Sequence, residues 1–363
     1  MSRVVIVGGG YGGAAAAKAL ESVAEVVLID PRDAFVNAAG SLRAVARPEW
    51  AGAMFFPLDE LLTRGEVVRD RVVSADPAGV RLASGRRVEA DYLILASGSS
   101  YAYPAKPRAE LTADALEDFR RTHKELAGAE RVLILGAGPV GLELAGEIAE
   151  VWPGKRVSII DPAAELLPGY LPEVRAELHR QLDELGVRLL LGSGLAALPH
   201  TGPGRAGTFT ASTAGGERIT ADIWFRAFGV DLNTGYLADG SLTTRTARGE
   251  VPVTETLAVQ GYENVYAIGD ITALSEDKKA GHAMRHAEVV AENIKARLRG
   301  QEPTATYRPM AFPMILLPLG TRGGVGQMPA EQGPVAASPE MVSEYKGRDL
   351  FTARFSKQFG IAK

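Results

Sequence analysis

The sequence predicts an α/β protein made of two Rossmann-like dinucleotide-binding domains and a small C-terminal segment. Three observations predict it. A glycine loop, Gly8-x-Gly10-x-x-Gly13, follows a short apolar strand and opens a helix. The same arrangement returns at Gly136-x-Gly138-x-x-Gly141, 128 residues further on. Each unit then runs into a second apolar strand ending in an aspartate, Asp30 and Asp161. That spacing marks a duplicated domain rather than a short-period solenoid.

The elements follow in order. Arg3 to Val7 is a β-branched run, Ala14 to Glu21 is helix-forming, and Val26 to Asp30 is a continuous buried strand. Residues 31–65 are irregular, with helical patches around Gly40 to Ala46 and Leu58 to Leu62. Val72-Val73, Val80 to Leu82 and Arg87 to Glu89 are short strands split by turn residues, which predicts a β-meander. Tyr92 to Ala96 is another apolar strand, and the proline-rich Tyr101 to Pro107 reads as a linker. A helix over about Ala113 to Ala127 leads into the second unit. There Arg131 to Leu135 and Arg156 to Asp161 are strands, and Leu142 to Val151 is the helix between them. Glu173 to Leu185 is amphipathic, with Val174, Leu178, Leu182 and Leu185 on one face. A late apolar run, Val265 to Ile268, precedes Gly269-Asp270 and a long helix over Ala280 to Leu298. Met310 to Leu319 reads as a core strand and Gly320 to Gly326 as a glycine-rich turn, followed by a basic, aromatic tail. The expected domains are 1–107 with 238–300, then 108–237, and a C-terminal segment over 301–363.

Composition bounds the chemistry. The 363 residues are 46% hydrophobic and 23% charged, ordinary for a soluble globular protein, and the net charge of −4 argues against nucleic acid. There is no cysteine. A disulfide framework, a thiolate zinc site, a cysteine-ligated iron–sulfur cluster and a catalytic thiol are all excluded. Disulfide reductases and cysteine-based sulfide oxidisers or peroxidases fall with them, so electrons must run through a bound cofactor. No apolar stretch reaches a membrane span's roughly 20 residues. The apolar start runs into glycines with no cleavage site, and Ser2 offers no myristoylation glycine. The expectation is a cytoplasmic protein, with peripheral membrane contact through the tail left open.

The glycine loops carry the strongest signal. The first glycine permits the tight turn, the second lets a pyrophosphate approach the backbone, and the third lets helix and strand pack closely. An aspartate closing the second strand accepts bonds from an adenosine ribose. At Asp161 a carboxylate favours a free 2′-hydroxyl and repels a 2′-phosphate, which predicts NADH over NADPH. The bland alternative is that Asp161 caps its strand. Two loops imply two dinucleotides, one a bound flavin and one a diffusing nicotinamide. Ser97-Gly98 and Gly269-Asp270 fit a flavin site built from both ends of the chain, with Asp270 on a ribityl hydroxyl. The helix opening near Gly281 and His282 aims its N-terminal dipole at the flavin N1 side.

These residues resemble the two-dinucleotide-domain flavoproteins. More closely, the chain is similar to the apoptosis-inducing-factor-2 (ferroptosis suppressor protein 1) type of NAD(P)H:quinone oxidoreductase. The likeness spans nearly the whole chain: Val4 to Gly13, Ser41-Leu42-Arg43-Ala44, Leu93 to Gly98, Gly141 to Glu147, Asn264 to Asp270, Gly323-Gly324-Val325-Gly326-Gln327 and Lys346-Gly347-Arg348-Asp349-Leu350-Phe351. It implies FAD on the Gly8 loop and NAD(P)H on the Gly136 loop. It also implies Glu143 near the nicotinamide and flavin, and Lys346 reaching the flavin site from the tail. The two are the candidate catalytic residues. Candidate cofactor-binding residues are Gly8, Gly10, Tyr11, Gly12, Gly13, Asp30, Arg43, Val73, Ser97, Gly98, Gly269, Asp270, Gly281, His282, Gly136, Gly138, Pro139, Val140, Gly141, Asp161 and Gly229.

Each candidate has a plainer reading. Glu143 could complement its helix N-terminus, Glu147 could be solvated, and Lys346 and Arg348 could be a solvated charge run. His282 and His286 stand at i, i+4 with no third ligand at matching spacing, so no metal is expected. Packing beside the flavin or supplying a proton to a reduced quinone suits them better. Phe351, Phe355 and Phe359 repeat every four residues. Most such stripes pack onto their own protein; the alternative is a surface that meets a membrane or caps a quinone. The expected activity is hydride transfer from NADH to FAD and two-electron transfer to a quinone-type acceptor. The alternatives are a reductase of a ferredoxin-type carrier and a slow NADH-sensing redox scaffold. A homodimer is left open.

Overall fold

The computed structural model describes residues 1–362. Two parallel sheets organise it. The first has the strand order Val265–Ala267, Tyr92–Leu95, Arg3–Val7, Glu25–Ile29, Glu66–Val68, all parallel. Its central strand is apolar at every interior position because both faces are covered. Val4 and Ile6 pack under the helices Tyr11–Leu20 and Ala280–Leu298; Val5 and Val7 pack under the meander. The second sheet has the order Arg188–Leu191, Arg156–Asp161, Arg131–Leu135, Ile223–Arg226, again parallel. Helices Thr112–Gly128, Pro139–Val151 and Pro172–Glu184 cover one face, and the hairpin of Phe209–Ser212 with Arg218–Ala221 covers the other. An antiparallel ribbon, Ser99–Tyr101 with Val230–Leu232, joins the two units.

The late strand Val265–Ala267 completes the first sheet, so both ends of the chain build that unit. The second loop helix begins at Pro139, three residues earlier than expected; Gly138 caps it and proline's fixed φ suits the first helical position. The C-terminal segment is a three-stranded antiparallel sheet, Ile315–Leu319, Gly323–Ala330 and Gly333–Ala337. This corrects the glycine-rich turn expected over Gly320 to Gly326. Gly323 to Gly326 pair with Leu316 to Leu319, and the strands lie so close that a Cβ at Gly324 would stand 2.4 Å from the Leu317 carbonyl oxygen. Beyond the sheet come a short helix, Pro339–Val342, a π-helical turn, Ser343–Gly347, and the helix Thr352–Phe359.

The aromatic stripe faces inward. Phe355 and Phe359 are buried against Phe35 and Phe56, with ring centroids 4.9–6.4 Å apart. Phe355 and Phe359 thus close the core of the first unit, while Phe351 is half-buried. No helix among the described residues is long and apolar enough to cross a membrane.

Candidate functional site

The two loops share their backbone design. Gly8 and Gly136 adopt φ of +107° and +114°, a region open to glycine and strained for other residues. The amide of each donates 2.8 Å to the carbonyl closing the second strand, Ile29 and Ile160. A Cβ on Gly13 would stand 1.8 Å from the Gly8 oxygen, and one on Gly141 would stand 2.0 Å from the Gly136 oxygen. A Cβ on Gly10 or Gly138 would meet nothing within 4 Å. The third glycine therefore serves packing, while the second borders open space at a helix N-terminus, where a pyrophosphate fits.

The paired aspartates match too. Asp30 accepts from the amides of Gly9 (2.7 Å) and Arg32 (2.8 Å), and burial raises its carboxyl pKa. Asp161 accepts from Ala137 (2.6 Å) and Ala163 (2.7 Å). Pro139 and Val140 open the second loop's helix, and Gly136 lies against the Ala227 carbonyl, whereas Gly229 has the Arg226 side chain as its neighbour.

Around the first loop, two helix N-termini converge. A Cβ on Gly12 would lie 3.1 Å from the Ala283 carbonyl oxygen, so the helix opening at Ala280 starts beside the loop, with Gly281 facing open space. The Gly269 amide donates to His286 Nδ1 (3.0 Å), which makes that nitrogen the unprotonated one. His286 Nε2 lies 2.9 Å from Glu276, which also accepts from Tyr307 Oη at 2.6 Å. His286 Nδ1 thus holds the Gly269 turn, while its buried Nε2 faces Glu276. His282 stands on the same cluster's edge, with Nδ1 2.9 Å from the Asp277 carbonyl and 3.5 Å from Glu276. Gly98 and Ser97 are fixed by Asn233 through their carbonyls. Val73 lies at a bulge in the meander with its side chain 46% exposed.

Asp270 reveals a residue that sequence reasoning missed. It accepts from Ser99 Oγ at 2.5 Å, and Lys106 Nζ donates to both the carbonyl and the hydroxyl of Ser99, 3.9 Å from Asp270. Burial lowers the Lys106 pKa and the Asp270 charge offsets it. Within the Tyr101–Pro107 linker, Lys106 carried no local signal.

Glu143 and Lys346 meet across 203 positions of sequence. Lys346 Nζ donates to Glu143 Oε1 at 2.7 Å and to the Leu316 carbonyl at 3.0 Å. Burial raises the Glu143 carboxyl pKa, and Lys346 works against that rise. Neither is a solvated charge. Glu147, one turn on, is 3% exposed, which corrects the solvated reading. It takes Arg43 Nε at 2.9 Å and also pairs with Arg47. Arg43, expected among the cofactor-binding residues, gives its other donors to the tail carbonyls Gly347 (2.6 Å) and Arg348 (3.0 Å). Tyr11 turns from its loop to donate to Asn37 Oδ1 at 2.9 Å.

Two matched glycine loops, each opening a helix from a parallel sheet, define a fold with two dinucleotide-binding-type units. The profile of the pyridine nucleotide-disulphide oxidoreductases matches residues 2–292, and the chain belongs to that family. It is 34% identical to ferroptosis suppressor protein 1 of Taeniopygia guttata, covering 99% of this chain and 96% of that protein. It is 28% identical to apoptosis-inducing factor homolog B of Dictyostelium discoideum, covering 99% and 97%. The sulfide:quinone oxidoreductase of Aquifex aeolicus superposes with a TM-score of 0.76 at 18% identity, covering 99% of this chain and 91% of that one. The Plasmodium falciparum NDH2 structure with NADH gives 0.74 at 14%, covering 99% and 97%. The chain is accordingly an FAD-dependent oxidoreductase that uses a pyridine nucleotide.

Proposed function

We propose that the protein oxidises NADH and reduces a quinone-type acceptor. The observation that carries this is the matched pair of nucleotide loops in a chain without cysteine. FAD, when bound, supplies hydride acceptance and two-electron donation to the acceptor. The residues do the rest. The Gly8 loop, with Asp30, Ser97, Gly98 and Asp270, would hold FAD. The Gly136 loop, with Asp161, would hold NADH. Asp161, fixed by two amides, supports NADH because it accepts a ribose 2′-hydroxyl and repels a phosphate. The N-terminus of the helix Ala280–Leu298 favours negative charge beside the first loop.

The quinone acceptor is supported by the resemblance and by the full-length likeness to ferroptosis suppressor proteins. Glu143 and Lys346 suit it: a buried carboxyl with a raised pKa, paired with an ammonium, can hold a proton where an acceptor oxygen gains charge. The test is steady-state NADH oxidation by the purified yellow protein against a panel of soluble quinones. Fast turnover with quinone alone is the expected result. A protein that takes up no flavin, or turnover only with an added iron–sulfur protein, would overturn the reading.

A further inference from the structure

We propose that Arg43 is a positioning residue that latches the C-terminal tail, so that Lys346 is held at Glu143, with Asn37 as a second fastening. Arg43 is 1% exposed and belongs to the helix Ser41–Ala46 of the first unit. Its guanidinium touches both partners of the Lys346–Glu143 pair through their neighbours. On one side it binds Glu147, four residues beyond Glu143 on the same helix. On the other it binds the carbonyls of Gly347 and Arg348, directly after Lys346. One planar fork therefore fixes the separation of the two backbones that carry the pair. Asn37, fully buried, extends the fastening: its Nδ2 donates to the Leu350 carbonyl at 2.7 Å.

The tail needs such a latch. Leu350 and Phe351 are consecutive non-glycine residues at φ of +51° and +65°. Left-handed backbone of that kind persists only where its surroundings over-determine it. Asp349 contributes by accepting from the Phe351 amide at 3.0 Å. The tail's own backbone adds the Leu350 amide on the Lys346 carbonyl (2.8 Å) and the Thr352 amide on the Asp349 carbonyl (3.0 Å). The bonds that tie this turn to the first unit come from Arg43 and Asn37, and they end on backbone carbonyls. Lysine has no fork and cannot reproduce three divergent donations. If Arg43 served only to neutralise Glu147, lysine would serve as well.

The weight of the latch in turnover rests on the role given to Lys346 above, so its test reads Lys346 directly. The holoprotein is pulsed with acetic anhydride, and acetylation of Lys346 is compared with that of exposed Lys124 by peptide mass spectrometry. In Arg43→Lys the acetylation of Lys346 is expected to rise at least about tenfold, the change that goes with losing a charge-assisted hydrogen bond. Asn37→Ala is expected to raise it in the same direction, and decides the matter alone if Arg43→Lys does not fold. Unchanged acetylation of Lys346 in the folded variants overturns the latch. Faster acetylation with undiminished quinone turnover supports the latch and overturns the role of Lys346 in the reaction.

Discussion

Glycines that look equivalent in the motif answer to different forces. A methyl on Gly141 would collide with the Gly136 carbonyl 2.0 Å away, while a methyl on Gly138 enters open space. Gly141→Ala should therefore cost stability by about 1–3 kcal/mol or more, as an overpacked contact between backbones does. Gly138→Ala should change the melting temperature little and raise KM for NADH, because its methyl takes the room of the pyrophosphate. Thermal melts beside NADH kinetics check both; equal loss of stability in the two would remove the distinction. Asp161→Ala should narrow the NADH over NADPH ratio of kcat/KM by roughly tenfold, the worth of one charge-assisted contact. An unchanged ratio would return Asp161 to a strand cap.

At the scale of elements, the strand Arg131–Leu135 is tied to the start of the strand Ile223–Arg226 by Asp222. That carboxylate takes the Arg131 guanidinium at 2.6 Å and 3.0 Å, and this bond holds its pKa well below the usual range. A lowered carboxylate stabilises above its unfolded value and loses that contribution as pH falls. Asp222→Asn should lower the melting temperature by a few degrees at pH 7, and the deficit should shrink below about pH 4. An equal deficit at both pH values would assign the loss to packing. The strands and loop helices themselves were legible because their signals are local: apolar runs of strand length, glycines at fixed offsets, and Asp30 and Asp161 closing their strands. Glu147, Lys106 and Arg43 were not legible in their roles. Each is an ordinary charged residue until a segment from far along the chain packs against it, as Gly347 does against Arg43.

For the whole molecule, the C-terminal segment works as a strap across both units. Its strand Ile315–Leu319 and Lys346 lie against the helix Pro139–Val151 of the second unit, while Phe355 and Phe359 close the aromatic core of the first. Cutting the chain after Ser343 therefore removes more than Lys346. It uncovers Phe35 and Phe56, and it takes the Gly347 and Arg348 carbonyls from Arg43 and the Leu350 carbonyl from Asn37. Losing each buried phenylalanine costs about 3–5 kcal/mol, a sum that rivals the whole stability of a domain. The truncated protein should lose flavin and melt earlier as well as turn over more slowly. Lys346→Met isolates the chemistry, since the rest of the strap remains. Without the ammonium, the Glu143 carboxyl loses the partner that opposes its burial, and its pKa rises further. A carboxyl with a raised folded pKa destabilises the fold as pH climbs through that window, because the proton must then leave a buried site. Lys346→Met should thus keep its flavin, lose quinone turnover, and melt closer to the parent at pH 5 than at pH 8. A constant gap across that range would mean that Glu143 and Lys346 do not share charge in the folded protein.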